Sequence, residues 1–120
     1  MPRPPRLHVP GSIHHVMARG NGGEPIYASS EDWPAILEVI GKVKRTSDFS
    51  LYAYCLMTNH FHLLVEVGDD PLSHIMHRVQ TSWAKLFNLR RSRKGHLFQA
   101  RFKSRLCQED EYFIWLLRYI

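Results

Sequence analysis

The sequence predicts an α+β fold, a split βαβ sandwich of ferredoxin-like or RRM-like layout: an antiparallel sheet covered by helices on one face, with a further helix at the C-terminus. Three observations carry that expectation. The apolar periodicity switches between strand-like and helix-like along the chain, in the order strand, helix, strand, strand, helix, strand, helix. Two aromatic-rich apolar runs are separated only by Thr58-Asn59, which calls for an antiparallel hairpin. With 120 residues the chain can bury one hydrophobic core but not a second of useful size.

The first strand is the loosely alternating run Ser12 to Arg19, closed by the loop Gly20-Asn21-Gly22-Gly23. Ser30 is the expected cap of the first helix. Glu31 and Asp32 suit its positive end, Ile36, Leu37, Val39, Ile40 and Val43 form its apolar stripe, and Lys44 and Arg45 close it. Phe49 to Met57 and His60 to Val67 are the hairpin strands. Gly68-Asp69-Asp70-Pro71 ends the second of them, with Pro71 suited to the first turn of the next helix. That helix places Leu72, Ile75, Met76, Val79, Trp83, Leu86 and Phe87 toward the core. From Arg90 to Arg105 there are seven Arg or Lys residues and no acid, which reads as a basic loop leading into a short strand. Glu109 to Ile120 opens with three acids, turns apolar and reads as a third helix.

Hydrophobic residues make up 44% and charged residues 22%, the composition of an ordinary soluble globular domain. No apolar run approaches the ~20 residues of a membrane span, and no apolar stretch follows Met1 to Arg6 as a secretory signal would require. A cytoplasmic location is the resulting expectation. Cys55 and Cys107 lie in apolar strand-like runs, where small buried hydrophobes are expected rather than a disulfide framework. The formal charge of +5 favours an anionic partner. There is no phosphate-binding glycine loop, no nucleophile elbow and no zinc-finger cysteine pattern.

In His60-Phe61-His62 the two-residue period of a strand sends both imidazoles to one face and Phe61 to the other, so the rings can converge on one metal ion. A structural pair satisfied by its neighbours fits the same spacing. Tyr112 and Tyr119 share a helix face with Trp115, as an aromatic core stripe or as a source of a nucleophilic phenolate. The stretch from Arg90 to Lys103 mixes cations, which suit phosphates, with rings, which suit unstacked bases; a solvated basic face with Phe98 and Phe102 in the core is the alternative. Arg3, Arg6 and Arg19 extend that basic surface if the fold brings them near it. His74 and His77 share a helix face and His14 and His15 point to opposite sides of a strand, but neither pair has a companion carboxylate or cysteine at ligand spacing, so a structural or exposed role is expected.

Four blocks, His14-His15-Val16-Met17-Ala18-Arg19-Gly20-Asn21, residues 56–64 around His60-Phe61-His62, Gly95-His96-Leu97-Phe98-Gln99-Ala100-Arg101-Phe102-Lys103 and Leu117-Arg118-Tyr119-Ile120, together resemble the REP-associated tyrosine transposases. These belong to the single-tyrosine, His-hydrophobic-His (HUH) transposase superfamily. The resemblance spans nearly the whole chain and implies that His60 and His62 hold a divalent metal, Mg2+ or Mn2+. It implies that Tyr119 attacks single-stranded DNA carrying a hairpin or palindromic repeat, leaving a 5′-phosphotyrosine, with Tyr112 structural. The expected DNA-contacting set is Arg19, Asn21, Arg90, Arg91, Arg93, Lys94, His96, Phe98, Gln99, Arg101 and Lys103. The family usually has a polar metal-holding residue one helical turn beyond the tyrosine, whereas this sequence stops at Ile120. The expectation is therefore a single domain over residues 1–120, truncated at its C-terminal end, acting as monomer or homodimer. Two other readings stay open: a catalytically inactive nucleic-acid binding module of the same fold, and a metal phosphodiesterase in which water replaces Tyr119.

Overall fold

The computed structural model describes residues 8–27, 29–98 and 102–107. Its elements are β1 (Ile13–Arg19), α1 (Asp32–Thr46), β2 (Phe49–Met57), β3 (His60–Val67), α2 (Leu72–Arg90) and β4 (Lys103–Cys107), with a short 3-10 turn at Asn21–Gly23. The four strands form one sheet in the order β2-β3-β1-β4, with every neighbouring pair antiparallel. This is the expected split βαβ sandwich. The expected third helix, and Tyr119 and Tyr112 with it, lies outside the described residues, as do Gln99, Arg101, Arg3 and Arg6.

Alternation along the strands decides which face is covered. Phe61, Leu63, Val65 and Val67 of β3 and Val16 and Ala18 of β1 all point to one side, where they meet Ile36, Val39, Ile40 and Val43 of α1 and Ile75, Met76, Val79 and Trp83 of α2. Apolar burial of this kind is the main favourable term in folding. Trp83 is fully buried, and its indole Nε1 donates to the carbonyl of Ile26 at 2.9 Å, so no polar atom of that ring is stranded. The same bond pins the chain between β1 and α1 onto α2.

Several local expectations change. Ser30 does not cap α1: Glu31 occupies the cap position without a side-chain cap bond, and the Ser29 amide instead donates to Asp32 Oδ2 at 3.3 Å. Asp32 is drawn inward because the basic segment after α2 folds back onto it. Its side chain is fully buried, with Arg91 Nη2 at 2.5 Å and Arg90 Nη1 at 3.5 Å. Pro71 stands at the N-cap of α2, one residue before the helix. A β-bulge between Leu51 and Ala53 displaces Tyr52, whose hydroxyl donates to Glu66 Oε1 at 2.9 Å. Cys55 and Cys107 are free thiols and only half-buried, because both fall on the face of the sheet away from α1 and α2.

Candidate functional site

His60 and His62 lie on that second face, on a strand with a neighbour on each side. Antiparallel register places paired residues on the same face, so the surroundings of the histidines can be read strand by strand. His60 stands opposite Met57 of β2 and Arg19 of β1, and His62 opposite Cys55 and Met17. One step along, Leu64 faces His15, and across β1 His15 and Met17 pair with Arg105 and Lys103 of β4. The rings of His60 and His62 meet edge to face with centroids 5.0 Å apart.

Each of these two rings already uses one nitrogen within the protein. His60 Nδ1 lies 2.8 Å from Asn59 Oδ1, and His62 Nδ1 lies 2.9 Å from His15 Nε2, with the His15 and His62 rings stacked at 5.0 Å. His15 thus joins the site, although its pairing with His14 in the sequence suggested only a structural or exposed role. The signal that finds it is tertiary, since it comes from the register of β1 on β3. Desolvation pushes the His62 imidazole down to about 4, with further lowering from His15 and His60. His60 is lowered by burial and by Arg19, and His15 by burial and by Arg105. All three rings are thereby biased toward the neutral form, the form that ligates a metal.

A pH dependence of stability follows from His62. Its folded value of about 4 is below the ordinary 6.5, so between those values the unfolded chain binds more protons than the folded one. Its contribution is fully present above pH 6.5 and is lost as pH falls toward 4. Thermal unfolding of wild type and His62→Gln followed from pH 7 to 4 should show a shallower acid decline in the variant. Parallel curves would mean that His62 titrates normally.

The loops at the histidine end of the sheet come from three separate parts of the sequence. Gly20 N donates to Asn59 O at 2.8 Å, Asn21 N to Leu97 O at 2.8 Å and Asn59 Nδ2 to Gly23 O at 3.2 Å. Gly20 also bridges to Phe98, whose ring lies 6.0 Å from that of Phe61. A Cβ on Gly20 would stand 2.1 Å from the Glu24 carbonyl oxygen, so only glycine fits this junction. Asn21 and Arg19 are exposed there, and Lys94, His96 and Lys103 are exposed nearby in sequence or sheet.

The remaining expected DNA contacts are placed differently. Arg91 is held by Asp32 and lies over the Phe87 ring with its guanidinium carbon 4.3 Å from the centroid. Arg90 reaches the same carboxylate. Arg93 donates to Asn88 Oδ1 at 2.8 Å, and its guanidinium is 3.8 Å from Glu24 Oε2. Phe102 is buried in the core, while Phe98 packs against it from a half-buried position. Arg105, outside the expected DNA-contacting set, joins the histidine face through β4. A cleft of about 800 Å³ lies elsewhere, against α2, lined in part by His74, His77, Gln80, His96, Phe98 and Phe102. Among the described residues no carboxylate or thiol lines it, so none of them gives the His74 and His77 pair a companion ligand there.

The arrangement can present two neutral imidazoles to a cation beside a basic strip formed by Arg19, Lys103 and Arg105. Among the described residues, no group of three or more His, Cys, Asp or Glu side chains is gathered for a metal. Residues 11–120 match the family model described as "Transposase IS200 like". The fold is similar to that of a REP-associated tyrosine transposase bound to a REP hairpin, with TM-score 0.79 and 20% identity over 100% of this chain and 70% of that one. It is also similar to a candidate transposase from Deinococcus radiodurans R1, with TM-score 0.67 and 11% identity over 98% of this chain and 94% of that one. No curated protein shows significant similarity.

Proposed function

The chain belongs to the IS200-like transposase family, and from that premise we propose that it cleaves and rejoins single-stranded, hairpin-bearing DNA through Tyr119, with a divalent metal held by His60 and His62. The observation that carries this reading is the pair of imidazoles on one face of β3, each with Nδ1 engaged by the protein. That donor set fits a metal, because each ring keeps its Nε2 outside these contacts and ligates through it when its proton is on Nδ1. Imidazole nitrogen favours Mn2+ over Mg2+, which makes Mn2+ the better probe. Bound there, the ion supplies Lewis-acid polarisation of the target phosphodiester and a template for its orientation.

Arg19, Lys103 and Arg105 line the same face and provide the positive charge that a DNA strand requires. The Tyr119 oxygen bonds to phosphorus as the bond to the 3′-oxygen breaks; the tyrosine keeps the 5′-phosphate, and the departing oxygen takes a proton to become a 3′-hydroxyl. Attack by a 3′-hydroxyl on the phosphotyrosine reverses the step, so rejoining needs no external energy source. The hairpin substrate is suggested by the fold shared with the REP-associated enzyme bound to its REP hairpin. No helix among the described residues is long and apolar enough to cross a membrane, and the cytoplasm, with its DNA, is the proposed place of action.

Incubation of wild type with a hairpin-bearing single strand and Mn2+ should yield a denaturant-resistant protein–DNA adduct, absent from Tyr119→Phe. Cleavage that survives Tyr119→Phe would transfer the attack to water. Normal DNA binding with no cleavage by wild type would leave a binding module. Affinity should also fall steeply with salt. Arg19→Gln, Lys94→Gln and Lys103→Gln should each lower the slope of log affinity against log salt by about 1. A residue whose removal leaves the slope unchanged does not touch the DNA backbone. Arg91 is unsuited to this test because its guanidinium balances buried Asp32.

A further inference from the structure

We propose that His15 is a positioning residue for the metal site: its Nε2 accepts a hydrogen bond from His62 Nδ1–H and so holds His62 in the tautomer whose Nε2 is free to ligate. The proposal rests on the reading of His60 and His62 as metal ligands. The His60 side of the site shows the same construction. Asn59 Nδ2 donates to the Gly23 carbonyl, which orients the amide so that its oxygen faces His60 Nδ1 at 2.8 Å. An amide oxygen only accepts, so the His60 proton resides on Nδ1 and Nε2 carries the lone pair.

Among the described residues His62 meets no such amide. Its Nδ1 meets His15 Nε2 at 2.9 Å, and an imidazole nitrogen can donate or accept. Were His15 Nε2 the donor, the neutral His62 ring would carry its own proton on Nε2 and have no lone pair there for a metal. Accepting through Nε2 requires His15 to be neutral with its proton on Nδ1. His15 is not itself the third ligand, because its Nε2 is directed at the His62 nitrogen that does not ligate, and the described residues gather no three-ligand group. A ring stacked at 24° also restrains rotation of His62 about its side-chain torsions. Such outer partners fix both the tautomer and the orientation of ligating histidines.

The test uses the full chain, labelled with 15N and free of metal, together with calorimetric titration by Mn2+ alone. Long-range 1H–15N spectra of wild type should show His62 as the Nδ1–H tautomer. His15→Ala should shift it toward Nε2–H and weaken Mn2+ binding by about 10- to 100-fold. His15→Gln, whose amide oxygen can accept the same bond, should recover most of that loss. A wild-type His62 protonated on Nε2, or His15→Ala with unchanged tautomer and affinity, overturns the proposal. A His15→Gln variant that binds as weakly as His15→Ala also overturns it, in favour of direct ligation by His15. If wild type takes up no Mn2+, the metal reading itself fails and this inference falls with it; Mn2+ uptake indifferent to His15→Ala sinks the inference alone.

Discussion

His62→Ala should lower the rate of strand cleavage by about a thousandfold or more, corresponding to about 4 kcal/mol of transition-state stabilisation lost with the metal. The affinity for the same hairpin-bearing strand should change by no more than about twofold, because the cations credited with phosphate contacts lie on β1, β4 and the segment after α2 rather than on β3. His60→Ala should behave alike, since each ring contributes one of two neutral nitrogens and neither has a substitute on its strand. The half-buried position of both rings makes global unfolding an unsuitable explanation for the loss, which equal melting temperatures of variant and wild type would verify. Cleavage at the wild-type rate by either variant in Mn2+ would remove the metal from the mechanism. Loss of DNA binding in parallel with cleavage would make the histidines part of the DNA interface instead.

Asp32→Ala should destabilise the fold by about 3 kcal/mol, because it leaves the inward-turned Arg91 without its counter-ion. Asp32 is fully buried at the start of α1 and receives Arg91, Arg90 and the Ser29 amide. The carboxylate also suits the positive end of the helix. A loss of that size corresponds to a fall in melting temperature on the order of 10 °C for a domain of this length. The double variant Asp32→Ala/Arg91→Ala should be less destabilised than the sum of the two single changes, since neither leaves an unmatched buried charge in the presence of the other. Additive losses by calorimetry would show that the two groups do not interact. The pair also ties residues 90–93 to α1, so DNA affinity measured on Arg91 variants reports folding as well as contact.

Much of the architecture was legible in the amino-acid order because it rests on short-range periodicity. The apolar set of α2 repeats at helical spacing, and Leu72, Ile75, Met76, Val79, Trp83 and Phe87 are all buried. The hairpin was legible in the two-residue link, and the His60 and His62 pair in simple alternation on β3. Ser30 misled because capping preference is a local rule, and here a buried ion pair reorganised the start of α1. Arg91 and Arg93 show a related limit: a run of cations has the same appearance whether its charges face solvent or also meet Asp32, Asn88 and Glu24. The half-buried cysteines reflect the same limit, since an apolar strand does not reveal which of its faces the helices cover.

By itself, then, the amino-acid order determined the succession of strands and helices over the described residues, the sharing of one face of β3 by both histidines, and the family resemblance. Only the tertiary structure decided that His15 meets His62, that Asn59 orients His60, that Arg105 shares their face and that Arg91 is withdrawn to Asp32. Periodicity is a property of each segment, encoded within a few residues. Cross-strand register and the fate of long charged side chains depend on partners distant in the chain, as with His15 and His62, 47 residues apart. Their positions are set only when the sheet pairs and the core closes.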